Sequence, residues 1–300
     1  MASKYNSISN AANIILNIFF IIYTIMCIGP LMLVLIISIT DESMLIQNGY
    51  SFFPQKLSFE AYRFIFKESG VLARAYLNTC LVTFAGTILV VMITAMFAYP
   101  LSRKEFKYRK GFSFFLFFTM LFSGGVVPWY LVCVRILNLK NTIFSLFVPY
   151  LMSAWYVLIM RTFFSTTIPD SLIDSARIDG AKEFRIFFSI VLPLSTPSLA
   201  TIGLFSALMF WNDWWLPLML TTGDRYINLQ YMLQRVQQDI EFITQMKEIG
   251  GGVIPELAGK IPSESSRMAL CILAIGPIIF IYPFLQKYFV QGLTIGAIKG

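Results

Sequence analysis

Residues 174–194 read DSARIDGAKEFRIFFSIVLPL. The stretch is charged in its first half and apolar in its second, and it joins two long runs with few charges. A plain connection between hydrophobic segments needs no helical pattern, yet this one carries two. Pro169 and Asp170 stop the preceding apolar run. Ser171 and Asp174 then have the Ser-x-x-Asp spacing of a capping box, which predicts a short helix starting there. Leu172, Ile173 and Ala176 share one side of it, while Asp174, Arg177 and Asp179 point elsewhere. Gly180 ends or bends this helix. Phe184, Phe187 and Phe188, at i, i+3 and i+4, predict a second helix with one apolar face, leading to Leu192 and Pro193. Periodicity leaves two uses open for the first helix: docking on a soluble partner, or lying on lipid headgroups.

The flanks decide the class of protein. Of 300 residues, 57% are hydrophobic, 16% aromatic and only 13% charged, against about 25% charged in ordinary soluble domains. Charge-free windows run over 14–39, 76–102, 112–134, 141–160, 186–212 and 268–286. Each is close to or above the roughly 20 residues that cross a hydrocarbon core. The prediction is an all-α membrane protein with six transmembrane helices. The first apolar run is too long for a signal-peptide core, so it is expected to remain as an anchor.

Charge placement orients the chain. Residues 103–110, RKEFKYRK, put five basic side chains and one acid into eight positions beside two spans, and short basic loops stay on the cytoplasmic side. Both termini and the loop at 170–193 then fall in the cytoplasm, with the long connections 41–74 and 223–267 outside. The net charge of +7 fits basic cytoplasmic loops and gives no reason to invoke nucleic acid. The absence of histidine removes the commonest general base and metal ligand, so an intrinsic hydrolytic or metal-dependent site is not expected. Cys27, Cys80, Cys133 and Cys271 have no paired spacing, and no disulfide framework is predicted.

Breakers interrupt several windows: Gly29 with Pro30, Gly124 and Gly125 with Pro128, Pro149, Pro193 with Pro197, Pro217, and Gly276 with Pro277 and Pro283. Broken backbone survives in lipid where protein or a watery cavity satisfies the freed polar groups, which predicts a bundle with a path through it. Ordinary kinking is the alternative at any one proline. An ion-gradient-driven secondary transporter is the alternative function. It would need titratable groups on the helices, and the predicted spans hold essentially one, Asp213.

Residues 174–193 also resemble the EAA loop in the membrane subunits of binding-protein-dependent ABC importers. The pattern Glu-Ala-Ala, three residues, Gly, nine residues, Ile-x-Leu-Pro is met by Asp174, Ser175, Ala176, then Gly180, then Ile190, Val191, Leu192 and Pro193. Ile178, Asp179, Gly180 and Ala181 supply the usual core. Asp174 stands where the family has glutamate, and Ser175 where it has alanine. The shorter acid either approaches a basic group on the ATPase more closely or serves as the helix cap.

The resemblance implies a type I importer transmembrane domain in the bacterial cytoplasmic membrane. Residues 1–74 would hold the first helix and outer loop, 75–293 the transport domain with its coupling loop at 170–193, and 294–300 a cytoplasmic tail. That loop would dock on one of two ATP-binding subunits. ATP and Mg would sit on those partners, since this chain has no G-x-x-x-x-G-K-[ST] loop and is expected to bind no cofactor of its own. A second homologous permease and an extracellular solute-binding protein would complete the complex.

Further motifs resemble the carbohydrate-uptake class, and within it the polysaccharide and complex-oligosaccharide branch: FSGGVVP at 122–128, FWNDWWLPL at 210–218, and YPFLQKYFVQG at 282–292 with terminal Lys299 and Gly300. Independently of resemblance, Trp211, Trp214 and Trp215 around Asn212 and Asp213 suit sugar, because aromatic faces stack on pyranose rings while amide and carboxylate groups bond hydroxyls. An aromatic belt at the outer membrane interface explains the same letters. The outer connection, with glycines at 250–252, is expected to be a mobile contact loop.

Overall fold

A helix without a charge and apolar all round must face lipid or a large core, and the first one faces outward along nearly its whole length. α1 (Asn10–Ser38) continues through Pro30 without a break, and only its last turn, around Ile37 and Ser38, is buried. The computed structural model describes residues 10–248, 263–276 and 279. Of these, 10–69 with 235–248 and 263–275 form one compact unit, and 70–234 form another. Among the described residues the structure is helical apart from one isolated bridge, between Thr40 and Leu57.

In the first unit, α2 (Glu42–Asn48) and α3 (Glu60–Ile65) follow α1, so the connection at 41–74 is partly helical. Asp41 starts α2 by accepting the Ser43 amide at 3.1 Å, and Lys56 pairs with it at 2.7 Å. These bonds, the one from Lys56 foremost, hold the Asp41 carboxyl below its ordinary value, against a small opposing effect of burial. The Glu42 carboxylate accepts the Glu264 amide at 2.9 Å and the Ser265 amide at 3.0 Å. It thereby caps the first turn of the helix Ser263–Ile275, which packs on α1, α2 and α3. Free amides and a positive dipole end both favour that acid.

The second unit is built on α4 (Ser69–Ser102), which begins two turns before the charge-free window at 76. α5 (Arg109–Leu121) and α6 (Val126–Leu131) meet at a 114° bend in the FSGG segment, so the window at 112–134 is not one straight helix. A π segment at Val132–Ile136 extends α6. Short 3₁₀ turns lead to α7 (Ala154–Thr167), with a 53° bend between them. Then come α8 (Asp170–Ile178), α9 (Glu183–Ile186), a π segment at Phe187–Val191, and α10 (Leu192–Leu194). α11 (Thr196–Trp211) turns 80° from this run.

α12 (Trp215–Leu220) comes next, and α13 (Leu229–Glu248) crosses the boundary between the units. α13 occupies half of the connection expected to be a mobile loop; Leu229, Met232, Leu233 and Ile240 are buried along it, a helical spacing hidden by its many glutamines. The helix Ser263–Ile275 is α14.

α4 and α11 approach closely at Gly86, where an added Cβ would lie 2.7 Å from the Phe210 ring. Small residues at such crossings let backbones near one another in a membrane bundle. Around that crossing Val82, Val90, Met160, Phe164, Ile202 and Phe210 form one core.

Among the described residues, two helices, Ala12–Ser38 and Gly70–Ser102, are long and apolar enough to cross a membrane, and three bent pairs bring the number of candidate spans to as many as five. The sixth window opens with α14. Apart from residues 276 and 279, its remainder lies outside the described residues, as do the glycines at 250–252, the motif at 282–292 and the tail at 294–300.

Candidate functional site

The loop at 170–193 is held by its own backbone. α8 ends in a complete Schellman closure: the Asp179 amide donates to the Ser175 carbonyl at 3.0 Å, Gly180 to Arg177 at 3.0 Å, and Ala181 back to Ala176 at 2.9 Å. The motif requires a left-handed residue at its turn. Gly180, at φ +80°, is that residue, with open space where a side chain would stand. Ala176 and Ala181, the two ends of the long bond, both pack against the core. The Ile-Asp-Gly-Ala letters are therefore a helix stop.

The start differs from the expected capping box. α8 begins at Asp170 with Pro169 as its cap residue and no side-chain capping bond. Asp174 lies in mid-helix, where it pairs with Arg177 at 3.5 Å, so the capping role for Asp174 is overturned. Proline explains the shift: it cannot donate an amide, and it biases the chain toward a turn just before Asp170.

One side of α8 faces the protein and the other does not. Ile173 is buried at 1% exposure and Ala176 is half-buried, whereas Ile178 is 85% exposed. Leu172, expected beside Ile173, is instead exposed with Ser175 and Ile178, each three residues on. Asp174, Asp179 and Gly180 are exposed too, as is Pro193, while Ala181 and Leu192 are half-buried. Past the bend, the predicted face of three phenylalanines is split: Phe187 is buried, but Phe184 and Phe188 are exposed. The π segment from Phe187 widens the turn and rotates the next residues out of α-helical register.

Charged residues tie this loop to the end of α4. Arg103, only 4% exposed, donates to Asp170 at 3.2 Å, to the Phe164 carbonyl at 3.0 Å and to Ser102 at 2.9 Å. Lys104 joins Asp170 at 3.1 Å. At the other end of α8, Arg177 reaches Glu183 at 3.0 Å, and Tyr99 donates to the same carboxylate at 2.7 Å. The bond to Glu183 holds Arg177 above its ordinary pKa. Tyr99, Arg177, Glu183, Phe184 and Phe187 line an open groove of about 410 Å³. Sequence reading missed Tyr99 and Glu183 and took Arg103 as an orientation signal only. A tyrosine near the end of an apolar span carries no mark of its own.

The aromatic cluster after α11 divides in two. Trp211 is buried, and Asn212 is exposed with its amide turned back to the Leu208 carbonyl at 2.9 Å. Asp213, 7% exposed, accepts the Trp215 and Leu216 amides at 3.2 and 3.4 Å, so it starts α12 as a cap. Tyr150 lies 3.5 Å from the same oxygen, and Asn228 donates to the Asp213 carbonyl. Trp214 is exposed, and Trp215 is half-buried edge-on to it. No group of three or more potential metal ligands occurs among the described residues.

Comparison with known proteins agrees with this architecture. The chain is 33% identical over 283 residues to the polygalacturonan/rhamnogalacturonan transport system permease protein YtcP of Bacillus subtilis (strain 168), covering 94% of this chain and 96% of the relative. It is 27% identical over 290 residues to the arabinooligosaccharides transport system permease protein AraQ of Halalkalibacterium halodurans, covering 95% and 96% of the two chains. A crystal structure of a bacterial ABC transporter that imports the acidic polysaccharide alginate has a chain that superposes with a TM-score of 0.78 at 27% identity. That match covers 96% of this chain and all of the other. Nothing among these supports an ion-gradient-driven transporter. The model of the binding-protein-dependent transport system inner membrane component matches residues 11–295, and the chain belongs to that family of multi-pass inner-membrane permeases.

Proposed function

We propose that this chain is one of two permease subunits in an ATP-driven importer of oligosaccharides derived from complex polysaccharides. It crosses the membrane six times with both termini in the cytoplasm, as the basic loop at 103–110 and the five candidate spans followed by α14 support. It is non-catalytic: ATP and Mg are held and hydrolysed by two partner chains, and a solute-binding protein delivers the sugar from outside.

The observation that carries this reading is α8. A nine-residue helix closed at Gly180 buries Ile173 while leaving Leu172, Ser175 and Ile178 exposed, which is the form of an element that seats in a partner's cleft. ATP-driven closure of the partners pulls on it and swings the bundle between its two openings. The exposed Ile178 favours docking over a purely internal role. The anionic character of polygalacturonan and alginate, which similar proteins handle, makes uronate oligosaccharides the first class to test. Asn212, Trp214 and the half-buried Trp215 are the members of the aromatic cluster with surface to offer a sugar, while Trp211 and Asp213 hold the turn beneath them.

The test is reconstitution with the genomic neighbours. An ATPase pair should co-purify, and proteoliposomes should take up oligogalacturonides or alginate oligosaccharides only with ATP and the binding protein. Uptake that persists without the ATPase would overturn the assignment.

A further inference from the structure

Gly180 gives α8 a bend at which it would swivel if it were held by one end. It is held by both. Asp170, its first residue, meets Arg103 and Lys104 just past the end of α4, while Arg177, in its last turn, bonds Glu183 across the bend, and Tyr99 of α4 holds the same carboxylate. The two attachment points are about 10 Å apart along the helix axis. Ion pairs with both partners in water contribute little, but each attachment here includes a buried partner at the end of α4: Arg103, the residue after it, at one end and the Tyr99 ring within it at the other. The guanidinium of Arg103 also lies 5.9 Å over the Tyr99 ring, which joins the two points.

The geometry points to Tyr99, Glu183 and Arg103 as positioning residues that harness the coupling helix to α4, so that a pull on α8 moves the cytoplasmic end of α4 as one body. The Tyr99 to Glu183 bond is the weak link because it consists of one hydroxyl and one carboxylate oxygen. Losing it leaves α8 docked but free to turn about its Asp170 end. ATP hydrolysis then continues while less of each stroke reaches the bundle. This inference rests on the assignment of α8 as the docking element.

The experiment uses the complete complex in proteoliposomes, with ATP hydrolysis and sugar uptake measured on the same preparation. Tyr99→Phe deletes a single hydroxyl, and Glu183→Gln keeps an acceptor while discharging the pair. Both should retain ATPase co-purification and ATP hydrolysis, while sugar imported per ATP hydrolysed falls about tenfold, the size of coupling effects along such networks. The double variant should fall no further than the worse single one, because both break one connection.

Unchanged sugar per ATP in both single variants overturns the harness, as does a loss of uptake that only tracks loss of assembled complex. Ile178→Asp, on the exposed side of α8, tests the docking assignment underneath. If the ATPase still co-purifies with it, docking through α8 itself is wrong. If the ATPase is lost there while Tyr99→Phe is silent, only the harness fails.

Discussion

Gly180 shows how much one backbone angle can decide. At φ +80° any side chain is strained whatever the surrounding space, at a cost of about 1–2 kcal/mol. Gly180→Val should therefore unravel the Schellman closure, measurable as faster amide exchange at Asp179 and Ala181 and as lost ATP-driven uptake. Gly180→Asn should retain more of both, since asparagine tolerates the left-handed region. Asp213 makes the opposite point. An acid in an apolar segment reads as a functional residue by default, but this one is occupied with the amides that begin α12. Asp213→Ala should destabilise the permease by about 1 kcal/mol in thermal unfolding, as expected for a lost cap. Asp213→Asn should hold stability and the KM for sugar near wild type; a large rise in KM with Asn would return Asp213 to the sugar path.

Helices depend on what meets them. The α4 and α11 crossing leaves no room beside Gly86, so Gly86→Val should cost about 1–3 kcal/mol by overpacking, seen as a lower unfolding temperature in detergent. Phe210→Leu in the same chain should recover part of it. Near the end of α1, the depressed carboxyl of Asp41 means that its pairing with Lys56 stabilises the fold above the free aspartate value of about 4. That contribution disappears as pH falls through the lower folded value. The unfolding temperature of Asp41→Asn should lie below wild type at pH 7, and the gap should narrow as pH falls below the free aspartate value of about 4.

Long charge-free runs were legible in the sequence as α1 and α4, and proline and glycine punctuation marked the helix, bend and helix of the loop at 170–193. The 114° break in FSGG was not, because glycines and a proline mark a weak point without saying how far the chain turns. α13 escaped because its apolar residues are diluted by glutamine. In the loop, Gly180 was recoverable from its residue type. Tyr99 with Glu183 was not, since their contact spans 84 positions and nothing local records it.

For the molecule as a whole, the sidedness proposed from the basic loop can be measured. In a chain whose native cysteines are replaced, a cysteine at Lys107 should react with an impermeant maleimide only in opened cells, and one at exposed Phe53 in intact cells. The reverse pattern would invert the topology. The Glu42 cap has a further consequence for biosynthesis. Glu42 and Glu264 lie 222 positions apart, so at ordinary translation rates their helices emerge on the order of 10–40 s apart. Throughout that interval α1 sits in the bilayer without the helix it will pack on. A surface apolar on every side, which looks unspecific in the finished protein, suits it to wait there among lipid chains alone.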